Sequence, residues 1–307
     1  MKLRPLLLWL IIIVIAVLGG LQWHHQQQTA RQVDWLFGTL RGQVVLRFEQ
    51  MFAPLWGGLH LQGVHLTIGE QWRQSWRPPS GLYWRAPQVQ IKQLSVHEDG
   101  WVDQFRVDVP ELDMPALAGL MGGRPVHLLN LQPIPLPALG YDKLIGSQRW
   151  ELQRLPQARS LRIASQGRWQ DALGWELMLD LDVDQRIFQG WPEDAGLRSL
   201  QATVTDHGLL QRYKQTLALQ QRITLAAAER RMIEQIDQYA RDTELRWDED
   251  SQKAMRRFLR AGGSLNITML PLPDFELRNL ALYGAAHWPV LLGLKLEQTD
   301  PDERAAP

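Results

Sequence analysis

Asp180, Asp182 and Asp184 have the spacing of the first three ligands of a calcium loop. Such a loop needs Gly at its sixth position and a bidentate Glu at its twelfth. Gln185 and Trp191 stand there instead. The three carboxylates therefore read as the wet face of a half-buried strand. The eight histidines contain no HExxH or comparable ligand spacing. His24 and His25 are adjacent, so on a helix their side chains diverge. The absence of cysteine excludes thiol catalysis and thiolate metal sites. No G-x-S-x-G, Walker A or G-x-G-x-x-G occurs, and no cofactor is expected. Serine or carboxylate catalysis needs no neighbouring partners in sequence. A hydrolase of envelope components therefore stands as a third reading, behind two non-enzymatic ones.

Two groups of residues point to surfaces rather than to catalysis. Trp72, Arg73, Trp76, Arg77, Trp84 and Arg85 interleave in QWRQSWRPPSGLYWR. Indole and guanidinium together suit a phospholipid headgroup layer, by ring burial and phosphate pairing. The plainer reading is a loop between two strands with its tryptophans packed locally. The second group is Leu177, Leu179, Leu181 and Val183, which with Trp175 alternate with Glu176, Met178, Asp180, Asp182 and Asp184. Alternation puts one face on apolar surroundings and the other on water. That apolar face is either a core covered by the C-terminal helices or an open groove for acyl chains.

The elements that position these residues start with a membrane-type segment. Leu6 to Leu21 is uncharged and mostly apolar, with Leu6, Trp9, Ile12, Ile15, Leu18 and Leu21 along it and Lys2 and Arg4 ahead of it. With its flanks it reaches the roughly 17 residues that a spanning helix requires. A cleaved signal peptide has a shorter core and a small-residue exit, and VLGGLQWHH matches that poorly. The reading is an uncleaved signal anchor over 1–22. The leading cations favour a cytoplasmic N-terminus. The expected location is the bacterial inner membrane, single-pass, with the body in the periplasm.

A membrane-proximal helix is expected over 23–42, where Val33, Leu36, Phe37 and Leu40 have helical spacing before Gly42. Strands dominate 43–206. A pattern of apolar-x-apolar-x-x-apolar-x-apolar recurs in LHLQGVHL, VQIKQLSV, VDVPELDM and FELRNLAL. A strand can keep one face through such a break only by a bulge or twist. Pro133, Pro135 and Pro137 mark an irregular connection between two strand groups. The region 207–299 turns helical with closing strands, and 300–307 reads as a disordered tail. The last helix carries Asp248, Glu249 and Asp250 at its start, Arg256, Arg257 and Arg260 near its end, and Gly262 as its stop. Together these predict an α+β fold: an N-terminal transmembrane helix, then a bent antiparallel sheet packed by C-terminal helices.

Charge is balanced overall, with 33 basic and 33 acidic residues, but uneven along the chain. Arg31, Arg41, Arg47, Arg73, Arg77, Arg85 and Lys92 face only Asp34, Glu49 and Glu70 in the membrane-proximal part. This favours anionic headgroups as partner over nucleic acid, which usually demands a strong overall basic excess.

The anchor, the Gly58–Leu66 stretch GLHLQGVHL and the C-terminal RRFLRAGGSLNITMLPLP with LLGLKLE resemble AsmA-like envelope proteins and related single-anchor periplasmic families. The resemblance spans the anchor, residues 57–68 and roughly residues 255–297. It implies a non-enzymatic protein that assists lipid handling or envelope biogenesis, with membrane phospholipid as partner. It supplies no catalytic residues. The alternative is a scaffold or assembly factor that binds another envelope protein.

Overall fold

The computed structural model describes residues 27, 31, 44–54, 58–68, 83–96, 102–115, 131, 134–155, 160–182, 196–272, 275–276, 282–283 and 285–299. Its strands are β1 (Val44–Arg47), β2 (Gln50–Phe52), β3 (Leu59–Ile68), β4 (Tyr83–Val96), β5 (Val102–Pro115), β6 (Lys143–Leu155), β7 (Ser160–Trp169), β8 (Leu173–Asp182), β9 (Gly196–Asp206), β10 (Ser264–Met269) and β11 (Lys295–Thr299). All eleven join one antiparallel sheet in the order β1-β3-β4-β5-β6-β7-β8-β9-β10-β11, with β2 also paired to β3. From β3 onward neighbours in space are neighbours in sequence, as in a meander, because each strand turns back on the one before it.

The expected breaks in alternation coincide with backbone irregularities. In β3, Leu59, Leu61 and Val64 are all buried in one cluster despite their uneven spacing. Gly63, at φ +60°, lies at the break, and a Cβ there would stand 2.5 Å from the Glu49 side chain. Only glycine enters that backbone region without strain. Opposite, β4 breaks in the same place, so that Ala86 pairs with Val64 and Val89 with Leu61. Between β4 and β5 the register slips between Ile91 and Gln93, leaving Lys92 as the extra residue. Between β5 and β6 it slips between Val109 and Leu112, across Pro110 and Glu111. The fourth copy, in FELRNLAL, is described only at Phe275, Glu276 and Leu282.

The Pro-rich connection ends in a 3-10 turn, Leu136–Leu139, closed by Gly140 at φ 83°. It leaves the sheet unbroken, because β5 and β6 pair along their length on either side of it. Leu139, Tyr141, Leu144 and Ala172 form a small core beneath it.

Three helices longer than a single turn are described: α1 (Leu209–Gln221), α2 (Leu225–Asp242) and α3 (Glu249–Ala261); α4 (Trp288–Leu291) is one turn. They gather over β9–β11 and the β7–β8 turn, where Met232, Ile236, Met255, Phe258 and Leu259 meet Leu265 and Leu296. The expected α+β body, a sheet packed over by C-terminal helices, is thereby corrected: the molecule is mostly one large antiparallel sheet with few helices. The reason is order along the chain. The helices follow β9 and reach only the strands made last, while the meander spreads sideways away from them.

The expected transmembrane helix is also corrected. Among the described residues no helix is long and apolar enough to cross a membrane. The longest, α2, carries Glu229, Arg230, Arg231, Glu234 and Asp237, and buries only Ala228, Met232 and Ile236. The inner-membrane and periplasmic location built on that anchor falls with it. Leu6, Trp9, Ile12, Ile15, Leu18 and Leu21 lie outside the described residues, as does the tail over 300–307, and the proximal helix over 23–42 is described only at Gln27 and Arg31.

The free edge of β11 is closed chemically. The Asp248 carboxylate caps α3, accepting from Ser251 N at 2.8 Å and from Ser251 Oγ at 2.6 Å. Ser251 Oγ in turn accepts from Leu296 N at 2.9 Å. An edge N–H that would otherwise offer itself to another strand is consumed by a helix cap. At the other end of α3, the buried Lys214 donates from Nζ to the Arg260 carbonyl at 2.8 Å. A cation on a helix C-terminus satisfies a carbonyl that the helix leaves free.

Candidate functional site

Directly paired residues in a sheet project to the same face. The pairings place Gln90, Asp108, Arg149, Gln166, Glu176, Thr203 and Asn266 in one row across β4–β10. The next row inward on β5–β8 runs Arg106, Glu151, Ala164 and Met178. This face is polar. It carries two shallow troughs: one of about 490 Å³ over β6–β10, and one of about 470 Å³ that reaches Lys92 and Asp108.

Ion pairs and hydrogen bonds stitch the polar face together. Arg162 donates twice to Asp180, at 2.8 and 3.0 Å. Hydrogen bonds from Arg162 hold the Asp180 carboxyl below the usual range against the opposing effect of burial. Arg198 meets Asp182 at 2.9 Å. Thr203 donates to Asn266 at 2.9 Å, and Asn266 donates to Thr299 at 3.2 Å. The expected wet face of β8 is therefore a ladder of paired groups at Asp180 and Asp182, while Asp184 lies outside the described residues.

The densest charge lies at Asp108, which is buried. Lys92 Nζ stands 2.5 Å from one carboxylate oxygen and Arg149 Nε 2.6 Å from the other. Arg106 Nε is 4.0 Å away, an ion-pair distance too long for a hydrogen bond. Burial pushes the Asp108 carboxyl up, but hydrogen bonds from Lys92 and Arg149 outweigh it and hold the carboxyl below its ordinary value. The bulge in β4 supplies Lys92 as the extra residue beside this row, the kind of re-aiming that bulges perform.

The opposite face is apolar. Leu181 is buried with Leu161, Leu197, Phe275 and Leu292, and Leu179 packs against that cluster. Leu177 is half-buried and joins none of the described clusters. Its row runs from Val107 through Trp150, Ser165 and Leu177 to Ala202 and Ile267. Trp150 is 40% exposed. The apolar face is thus covered at the Leu181 end by Phe275, Leu291 and Leu292 and left partly open along the Leu177 row. Val183 lies outside the described residues.

Of the Trp/Arg segment, Trp72, Arg73, Trp76 and Arg77 lie outside the described residues. Trp84 and Arg85 belong to β4, where Trp84 pairs with Leu66 and Arg85 with His65 and Asp113. The described part of this motif is therefore strand. Sequence reasoning missed Lys92, Arg106, Asp108 and Arg149, which come from three strands. The signal that could have found them is Arg106 and Asp108 alternating with Val107 and Val109, opposite charges two apart on a wet strand face.

Among the described residues no group of three or more His, Asp or Glu could hold a metal ion. The fold and its two faces define a broad antiparallel-sheet protein with a charged surface and an apolar one. A family model described only as "Uncharacterized protein" matches residues 158–299, which spans β7 to β11. No curated protein and no solved structure matches the chain.

Proposed function

We propose that this chain is a non-enzymatic lipid-handling protein whose apolar sheet face receives the acyl chains of a phospholipid. The observation that carries the reading is the Leu177 row. Trp150 on β6 and Leu177 on β8 lie on one face, with the buried Ser165 of β7 between them and Val107 of β5 beside Trp150, and both are only partly covered, while the other face of the same strands is charged. An apolar strip of this kind gains free energy by removal from water, about 25 cal/mol per Å² of apolar surface buried. The resemblance of Gly58–Leu66 and the C-terminal stretch to AsmA-like proteins supports the same role. The role requires no cofactor and no nucleic acid. It rests on the sheet faces and not on the N-terminal apolar run.

The test is native mass spectrometry of the full chain purified in detergent. Phospholipid adducts are expected, and their loss is expected in Leu177→Glu. A clean unliganded species from the unaltered chain refutes the role.

A scaffold that docks another protein is the second reading, and one specific feature favours it. Leu272 and Leu270 are each 58% exposed, and Val290 is 63% exposed. They are brought together where Leu272 N donates to the Leu291 carbonyl. Exposed large apolar groups clustered at one end of a molecule mark docking surfaces. Recovery of one stoichiometric protein partner, lost in Val290→Asp, would favour this reading over the first.

A further inference from the structure

We infer that Lys92, Arg106 and Arg149 form a binding site for a phosphate group at the end of the polar trough. The cluster is unbalanced: three cations converge on one carboxylate, Asp108. Lys92 and Arg149 already occupy that carboxylate at 2.5 and 2.6 Å. Arg106 is left 4.0 Å from it, and its Nε is buried without a hydrogen-bond partner. A guanidinium in that position has lost water on one side and gained no acceptor in return, a costly state. An incoming anion on the open side supplies the missing charge.

The geometry leaves donors for it. The side chains of Lys92, Arg106 and Arg149 are 47%, 33% and 39% exposed, so each keeps N–H groups open to solvent. The trough lined by Lys92 and Arg149, with Arg106 beside them around Asp108, holds about 470 Å³ and is lined further on by Ser147, Gln166 and Arg168. Arg168 makes no ion pair among the described residues, and Glu176 is the second acid on the lining. On the lining itself three cations, Lys92, Arg149 and Arg168, stand against two carboxylates and leave an excess of positive charge over a cleft large enough for a phosphate ester. Fork-shaped guanidinium groups beside a lysine match the oxygens of phosphate. Asp108 holds the heads of Lys92 and Arg149 in place and keeps the site from collapsing by mutual repulsion.

This site lies on the face opposite the acyl-chain strip, so it does not depend on the lipid reading. Its ligand is either free phosphate or a lipid headgroup. Calorimetric titration of the full chain with inorganic phosphate, and flotation with vesicles of phosphatidic acid, separate the two. Saturable uptake of inorganic phosphate without vesicle binding identifies the free anion. Vesicle binding displaced by inorganic phosphate identifies the headgroup. In either case Arg106→Gln weakens binding about tenfold, the effect of removing one charge-assisted hydrogen bond. Lys92→Gln, at a more exposed position, repeats the test if the first variant fails to fold. No saturable binding of either probe, or equal binding by both variants and the unaltered chain, overturns the inference.

Discussion

Two regions of the apolar face obey the same alternation and meet different fates. Around β10 and β11, Leu265 and Leu296 are sealed beneath α3, and the sheet edge is closed by the Asp248–Ser251–Leu296 relay. Around β5–β8, Trp150 and Leu177 carry the same pattern, and no described helix lies over them. Inward-facing leucine alone therefore does not make a core. What the chain does next decides whether an apolar strip is buried within the molecule or kept for something else.

The largest expected effect falls on the sealed region. Leu259 is 2% exposed, and Leu259→Ala should cost about 2–5 kcal/mol by cavity formation. Leu177→Ala in the open row should cost less than about 1 kcal/mol, because a partly exposed side chain leaves little cavity. Chemical denaturation of both variants compares them. Equal losses would erase the distinction between the two regions.

Next is Ser251→Ala, which leaves the buried Leu296 N–H without an acceptor and strips the α3 cap of one partner. A loss of about 1–3 kcal/mol is expected, with faster hydrogen exchange confined to β11 and α3. Exchange that rises across the whole sheet would show that the edge seal is not local.

Acid should loosen both regions. The Asp248 carboxyl is held low by its bonds from Ser251, and the Asp108 and Asp180 carboxyls are also lowered. Groups whose folded pKa is depressed stabilise above their unfolded value, and that stability is lost as pH falls through the folded value. Melting temperature should therefore fall as pH drops below about 4, near the ordinary carboxyl value of 3.8, and Asp108→Asn should flatten that decline. An unchanged melting temperature down to pH 2 would contradict these pairings.

The smallest effect belongs to Arg162→Gln. It removes a bidentate pair on an open face, and exposed pairs contribute at most about 1 kcal/mol.

Legibility in the sequence followed the range of each interaction. The alternation of β8 and the cap and stop of α3 depend on residues a few positions apart, and both were readable. The breaks in β3, β4 and β5 were readable because a strand face is lost unless an extra residue restores it. Strand β6 was harder to read, since Gln148, Arg149, Gln153 and Arg154 crowd it with polar groups on both faces. The Asp108 cluster was not readable, because its members stand up to 57 positions apart, from Lys92 to Arg149, and meet only through the register of three strands. Helix coverage was misjudged for the same reason. Amphipathic helices announce that they cover something, but only topology tells which strands.

The claim that the open apolar row receives acyl chains is tested most directly by photocrosslinking. The full chain is incubated with a phospholipid bearing a photoreactive group near the end of its acyl chain, and the labelled residues are mapped by mass spectrometry. The account predicts label at Trp150, Leu177 and their cross-strand neighbours, and little at Gln166 or Glu176 on the opposite face. Label on the polar face, label confined to the Leu272 and Val290 patch, or no label at all would contradict it.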